Sequence, residues 1–173
     1  APAVTNTPTP VAADVIFADD FETGTVSAWS ANTNSAGSKV APAAALIGNQ
    51  GWQVSITSNT ATYLTDNTPN AEARYRARFY FDPNTIAMKD GNAHLLFAGY
   101  HGTKVVLRTE FRNAKGKYQV RVGTLDDGGT WKSSSWFTIS DASHPVEWDW
   151  QAATAAGAKN GVLTLWIDGM LQT

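Results

Sequence analysis

The chain has 173 residues, the length of one ordinary domain, and its 43% hydrophobic and 16% charged residues suit a buried core and exclude a disordered chain. A formal net charge of −2 offers no basic excess for nucleic acid or an anionic membrane surface. The absence of cysteine excludes a disulfide scaffold, a thiolate metal site and a cysteine nucleophile.

Residues 1–13 (APAVTNTPTPVAA) read as an extended Pro/Thr-rich N-terminal arm or linker. Pro2, Pro8 and Pro10 favour a polyproline-like path, and Thr5, Thr7 and Thr9 are candidates for O-glycosylation. A start at Ala1 without methionine fits removal of a secretory signal. The surface composition, rich in Gly, Asn, Thr and Ser and poor in Lys and Glu, fits a secreted β protein. The expected location is therefore extracellular or at the cell surface.

From Asp14 the pattern turns to period two. A short apolar strand is predicted at 15–18, and Trp52, Val54 and Ile56 alternate with polar neighbours in a second. Residues 72–82 (EARYRARFYFD) predict a long strand with Arg74, Arg76 and Arg78 on one face and Tyr75, Ala77 and Phe79 on the other, ended by Asp82-Pro83-Asn84. Residues 93–100 suit a central strand. Residues 103–112 and 117–123 predict a hairpin about a turn from Asn113 to Gly116. A turn at 126–129 leads into a Ser-rich strand over 130–139. In 145–151 Val146, Trp148 and Trp150 share the core parity, opposite Glu147, Asp149 and Gln151. Gly157 and Asn160-Gly161 break a faintly helical stretch, so 152–161 is predicted as a loop. Residues 162–167 form the last full strand, and Asp168-Gly169 is a two-residue hairpin turn. The sequence shows no fixed-period repeat, no heptad, no long helix and no run of 18 apolar residues. The fold class expected is all-β, a two-sheet antiparallel β-sandwich over 14–173 with an extended N-terminal arm.

Three segments, FADDFETGTVSAWS (17–30), EARYRARFYFDPN (72–84) and LTLWIDG (163–169), resemble the concanavalin A-like lectin/glucanase superfamily. More narrowly they resemble laminin-G-like jelly-roll modules of bacterial secreted and surface proteins. The similarity runs from about residue 16 to the C-terminus and implies a concanavalin A-like jelly roll. Such modules continue past the WIDG hairpin, with a last strand beside the FADDFE segment. Here four residues follow Gly169, so the resemblance implies a domain lacking its last strand or strands, with a sheet edge open to another chain.

Glu147-Trp148-Asp149-Trp150-Gln151 is similar to the Glu-x-Asp-x-Glu strand of retaining glucanases, which need two carboxylates about 5–5.5 Å apart. Gln151 stands where the second catalytic glutamate would be, and an amide cannot protonate a leaving group. The chain is therefore read as not an enzyme. No Ser/His/Asp elbow or phosphate loop is present, and His94, His101 and His144 lack metal-ligand spacing.

Asp19, Asp20 and Glu22, with Asp168, are candidate Ca²⁺ ligands, since laminin-G-like modules often bind this ion; the competing reading is an acidic cluster that caps turns. No other cofactor is expected. Trp166 lies at the parity opposite to Leu163, Leu165 and Ile167, where its ring can stack on a sugar. Tyr100 and His101, between Gly99 and Gly102, can join it, as can Trp136 if a bulge shifts its face. Arg74, Arg76 and Arg78, with Arg108, Glu110 and Arg112, suggest either an anion or uronic-acid site or, preferably, an interstrand charge network in which Glu110 is a partner.

The function expected is a non-catalytic extracellular structural surface protein, a filament subunit that self-associates by donating its arm to a neighbour. Val11, Ala13, Val15 and Phe17 share the parity an inserted strand needs. The alternative is a carbohydrate-binding or adhesion module of the laminin-G/lectin-like type, with a glycan as its partner.

Overall fold

A computed structural model describes residues 15–68 and 71–173. The arm over 1–13, with Val11 and Ala13, lies outside the described residues. The chain is all-β, 47% strand and 4% helix. Among the described residues no helix is long and apolar enough to cross a membrane. Two compact units divide it, Ala1–Glu72 and Ala73–Thr173.

In the N-terminal unit the strand predicted at 15–18 is irregular backbone. Its apolar alternation finds no ladder, and the Asp19 carboxylate folds back to accept from the Phe21 N–H at 2.9 Å, which turns the chain out of the extended path. Two short antiparallel ladders follow. Strands β1 (Ala31–Thr33) and β4 (Tyr63–Thr65) form one, and β2 (Ser38–Ala41) and β3 (Gly51–Val54) form the other. Position 51 has to be glycine, because a Cβ there would sit 1.9 Å from the Ala44 carbonyl oxygen.

The C-terminal unit is two facing antiparallel sheets. One runs β10 (Phe137–Ile139), β8 (Lys117–Leu125), β7 (Lys104–Ala114), β6 (Ala93–His101), with β9 (Trp131–Ser133) also paired to β8. The other runs β13 (Met170–Gln172), β12 (Val162–Ile167), β11 (His144–Gln151), β5 (Arg74–Phe81). The inward parity of each strand supplies the core. Leu107, Phe111, Val120, Val122 and Ile139 come from the first sheet, and Val146, Trp148, Leu165 and Ile167 from the second. Phe97 meets Trp148 edge-on at 4.7 Å, Phe81 meets Phe111 at 5.0 Å, and Trp150 Nε1 donates across the layer to Thr124 Oγ1 at 3.1 Å. This is the packing of a β-sandwich.

The hairpin turns follow from local chemistry. Asp168 and Gly169, at φ 56° and 72°, connect β12 to β13, and Lys115 and Gly116, at 52° and 74°, connect β7 to β8. Positive φ at both central residues gives the turn whose twist matches the strands.

The strand predicted over 130–139 is two strands. Ser133 pairs with Gly123 and Phe137 with Val120, so one extra residue lies between them. Ser134 holds this bulge: its N–H donates to the Val122 carbonyl at 2.9 Å, and its Oγ accepts from the Val122 N–H at 3.2 Å. The extra residue reverses the parity. Phe137 and Ile139 turn inward and Trp136 turns out.

Candidate functional site

The sandwich presents two outer faces, each with three arginines, one with a single tryptophan beside them and the other with two. On the β5–β11–β12 face the register sets Arg78, Glu147 and Trp166 in one row and Arg76, Asp149 and Thr164 in the next. The long side chains reach diagonally. Arg76 Nε donates to Glu147 Oε1 at 2.7 Å, and Arg74 Nε to Asp149 Oδ1 at 2.9 Å, with a second contact from each guanidinium. Glu147 is 7% exposed. The Arg74 hydrogen bond holds the Asp149 carboxyl below its usual range, against desolvation and with the charges of Arg74 and Arg76 adding. Asp149 therefore stays ionised at neutral pH and has no proton to give a leaving group. Arg78 donates to Tyr80 Oη at 3.0 Å and lies over its ring. Arg76 Cζ lies 5.6 Å from the centroid of Trp166.

The ladder is thus a charge network, but its partners differ from the expectation. Glu110 belongs to the other sheet, and β11 supplies the anions instead. That pairing depends on β5 and β11 being neighbours although Arg74 and Asp149 are 75 residues apart.

On the outer face of the five-stranded sheet, β7 projects Arg108, Glu110 and Arg112, and β8 projects Gln119 and Arg121. Arg121 Nε donates to Glu110 Oε2 at 2.6 Å, and Arg108 Nε lies 3.1 Å from the same oxygen. One carboxylate therefore serves two guanidiniums. Arg112 Nε donates to the neutral Gln119 Oε1 at 2.8 Å, and among the described residues no carboxylate pairs with Arg112. Two indoles lie on these cations. Arg108 Cζ is 3.9 Å from the centroid of Trp131, while Arg112 and Arg121 are 4.1 and 4.3 Å from that of Trp136. Each such contact is worth about 0.5–2 kcal/mol and fixes the ring in place.

The four residues expected to bind sugar do not form one platform. Trp136 is on this face, Trp166 is on the opposite outer face, and Tyr100 and His101 sit opposite Val105 and Lys104 at the end of the β6–β7 hairpin. Alternation alone cannot say which sheet a strand joins, so it grouped residues that the sandwich separates. Trp131 was not singled out, although it follows a turn and opens a strand.

The candidate calcium ligands are engaged in turns. Asp19 Oδ2 accepts from Trp29 Nε1 at 2.7 Å, and Asp20 Oδ1 accepts from the Glu22 N–H at 3.1 Å. Glu22 accepts from the Asn49 N–H at 2.6 Å, the Gln50 N–H at 3.0 Å and Asn49 Nδ2 at 3.1 Å, and these donors lower its pKa. Asp168, in the C-terminal unit, is bonded to His144. Among the described residues no group of three or more His, Asp or Glu is placed to hold a metal ion.

The sequence also did not signal the chain Ser140–His144–Asp168. His144 Nε2 accepts from the Ser140 backbone N–H at 3.2 Å and lies 2.9 Å from its Oγ, while Nδ1 lies 2.9 Å from Asp168 Oδ2. A backbone N–H can only donate, so Nε2 is the acceptor and Nδ1 carries the hydrogen given to Asp168. The imidazole caps the turn before β11 and ties it to the β12–β13 hairpin.

Phe17, expected in an inserted strand, packs edge-on against Trp29 at 4.7 Å within its own unit, and Val15 is exposed.

The chain matches no protein-family model, no curated protein and no solved structure.

Proposed function

We propose that this chain is a non-catalytic extracellular carbohydrate-binding module with a concanavalin A-like jelly-roll fold, and that it takes a glycan on the outer face of its five-stranded sheet. One observation carries the reading. The Ser134 bulge spends a residue to turn Trp136 outward, onto Arg112 and Arg121, and Trp131 lies on Arg108 along the same face. An indole fixed by these cations offers apolar area at little entropic cost, and Gln119 and Thr138 beside it supply hydrogen-bonding groups. The state of the other candidate carboxylates supports the non-catalytic part. Glu147 and Asp149 are tied into ion pairs, and the third position on that strand is Gln151.

The test is titration of the protein with a panel of soluble polysaccharides. Trp136→Ala is expected to weaken binding at least about tenfold, the equivalent of about 1.4 kcal/mol. Trp166→Ala, on the opposite face, should leave it unchanged. If no polysaccharide binds, or if only Trp166→Ala matters, the reading is wrong. Sedimentation of the same samples reads self-association: filaments, with no glycan bound, would favour the structural surface protein with strand donation instead.

A further inference from the structure

Resting on that carbohydrate-binding reading, we infer that the Trp136 end of the face is an anion site, and that the glycan is acidic, presenting a carboxylate to Arg112 and Arg121. The argument is one of uncompensated charge. Around the two indoles stand Arg108, Arg112 and Arg121, against the single carboxylate of Glu110. The whole chain carries a net charge of −2, so this local excess runs against its overall balance. Glu110 is consumed by Arg108 and Arg121. Arg112 gives Nε to the neutral oxygen of Gln119, and among the described residues no acceptor pairs with its terminal nitrogens.

Two guanidiniums converge on one ring, both within 4.3 Å of the Trp136 centroid. A bound anion would offset this excess of positive charge on a half-buried face. A guanidinium fork matches the two oxygens of a carboxylate, and stacking on the indole fixes the plane in which it is offered. A sugar ring over Trp136 would then carry its carboxylate to the arginines, which describes a uronic acid residue. The opposite face lacks this arrangement: each of its carboxylates has its own arginine, and the remaining Arg78 lies on Tyr80.

The experiment is titration with a polyuronate, with the same polymer fully methyl-esterified, and with a sulfated neutral polysaccharide, each at low and high salt. The polyuronate should bind at least tenfold more tightly than its ester, and the difference should shrink as salt rises. Arg112→Gln should abolish that preference with the far-ultraviolet spectrum unchanged. Arg112→Lys, which keeps the charge and loses the fork, should restore part of it. Equal binding of polyuronate and ester, unaffected by Arg112→Gln, overturns the acidic ligand and leaves the carbohydrate-binding reading standing. Binding of the sulfated polymer alone overturns the carboxylate assignment. Binding of none of the three, nor of any neutral polymer, removes the reading on which the inference rests.

Discussion

The two outer faces of the sandwich begin from the same residue types and end in different electrostatic states. Each projects three arginines from strands, beside one tryptophan on the first face and two on the second. On the β5–β11 face two carboxylates of one strand answer two arginines of the next, pair by pair, with Glu147 buried beneath Arg76. On the β7–β8 face one carboxylate is divided between two arginines, and among the described residues Arg112 has none. The first face sets two carboxylates against three arginines, and the third, Arg78, lies on Tyr80. The second sets one carboxylate against three arginines, a larger local excess of positive charge. Arginine count therefore says little about binding; the ratio of cations to the anions that register brings opposite them says more.

The most severe perturbation should abolish the comparison altogether. Trp148 is fully buried between the sheets, against Tyr75 and Phe97, so both faces depend on it. Trp148→Ala should cost about 3–5 kcal/mol in urea denaturation, and Trp-ring stacking and glycan binding should disappear with the fold. A small loss would mean that the two sheets do not share this core.

Next in size are the two glutamates, and they should part company. Glu147→Gln leaves Arg76 without its anion on the β5–β11 face, with an expected loss of about 2 kcal/mol and no change in glycan affinity. Glu110→Gln should cost a similar amount, about 2 kcal/mol, since Arg108 and Arg121, 22% and 26% exposed, lose the anion they share, but it should tighten binding to a polyuronate by removing the competing carboxylate. Equal effects of the two substitutions on affinity would erase the distinction between the faces.

Smaller still is the stability change for Arg112→Ala. The arginine loses one hydrogen bond to Gln119 and its contact with Trp136, yet its removal relieves repulsion from Arg121. The net change in denaturant midpoint should lie within about 0.5 kcal/mol. A loss above about 2 kcal/mol would identify Arg112 as a structural residue.

How far these states could be read from the sequence differs by element. The strand over 162–167 and its Asp168-Gly169 turn were legible, because clean alternation meets a dipeptide with a defined backbone demand. Trp148 was legible as core for the same reason. Strands β1, β2, β4 and β13 were not, since three or four residues without alternation carry no periodic signal. The bulge at Ser134 could be raised only as a condition on the face of Trp136 and not located, because it is made by a serine hydroxyl binding another strand's backbone. That bulge decides where Trp136 points, so half of the candidate site hung on it. The partners of the arginine ladder were in view as residue types, on a strand marked as polar, but choosing Asp149 and Glu147 over Glu110 required strand order. Strand order is fixed by long-range packing of the core faces, which local pattern does not encode.

The smallest expected effect probes the β5–β11 face through pH. The pKa of Asp149 is depressed in the folded chain, chiefly by the Arg74 hydrogen bond. A group depressed on folding adds stability above its unfolded pKa, near 3.9, and loses that contribution as pH falls through the lower folded value. Arg74 is 64% exposed, so solvent and salt screen the pair and its worth at pH 7 is small. Asp149→Asn should therefore be slightly less stable than the parent at pH 7 and low salt. The gap should be smaller at acid pH, below the unfolded value, as the parent's carboxylate approaches its depressed folded pKa. Urea midpoints at the two pH values check it. Arg112→Gln, tested alongside, should show no such narrowing, because it removes no carboxylate partner. A constant gap for Asp149→Asn at every pH would mean that its effect is one of packing, and the pairing that distinguishes this face from the other would then rest on Glu147 and Arg76 alone.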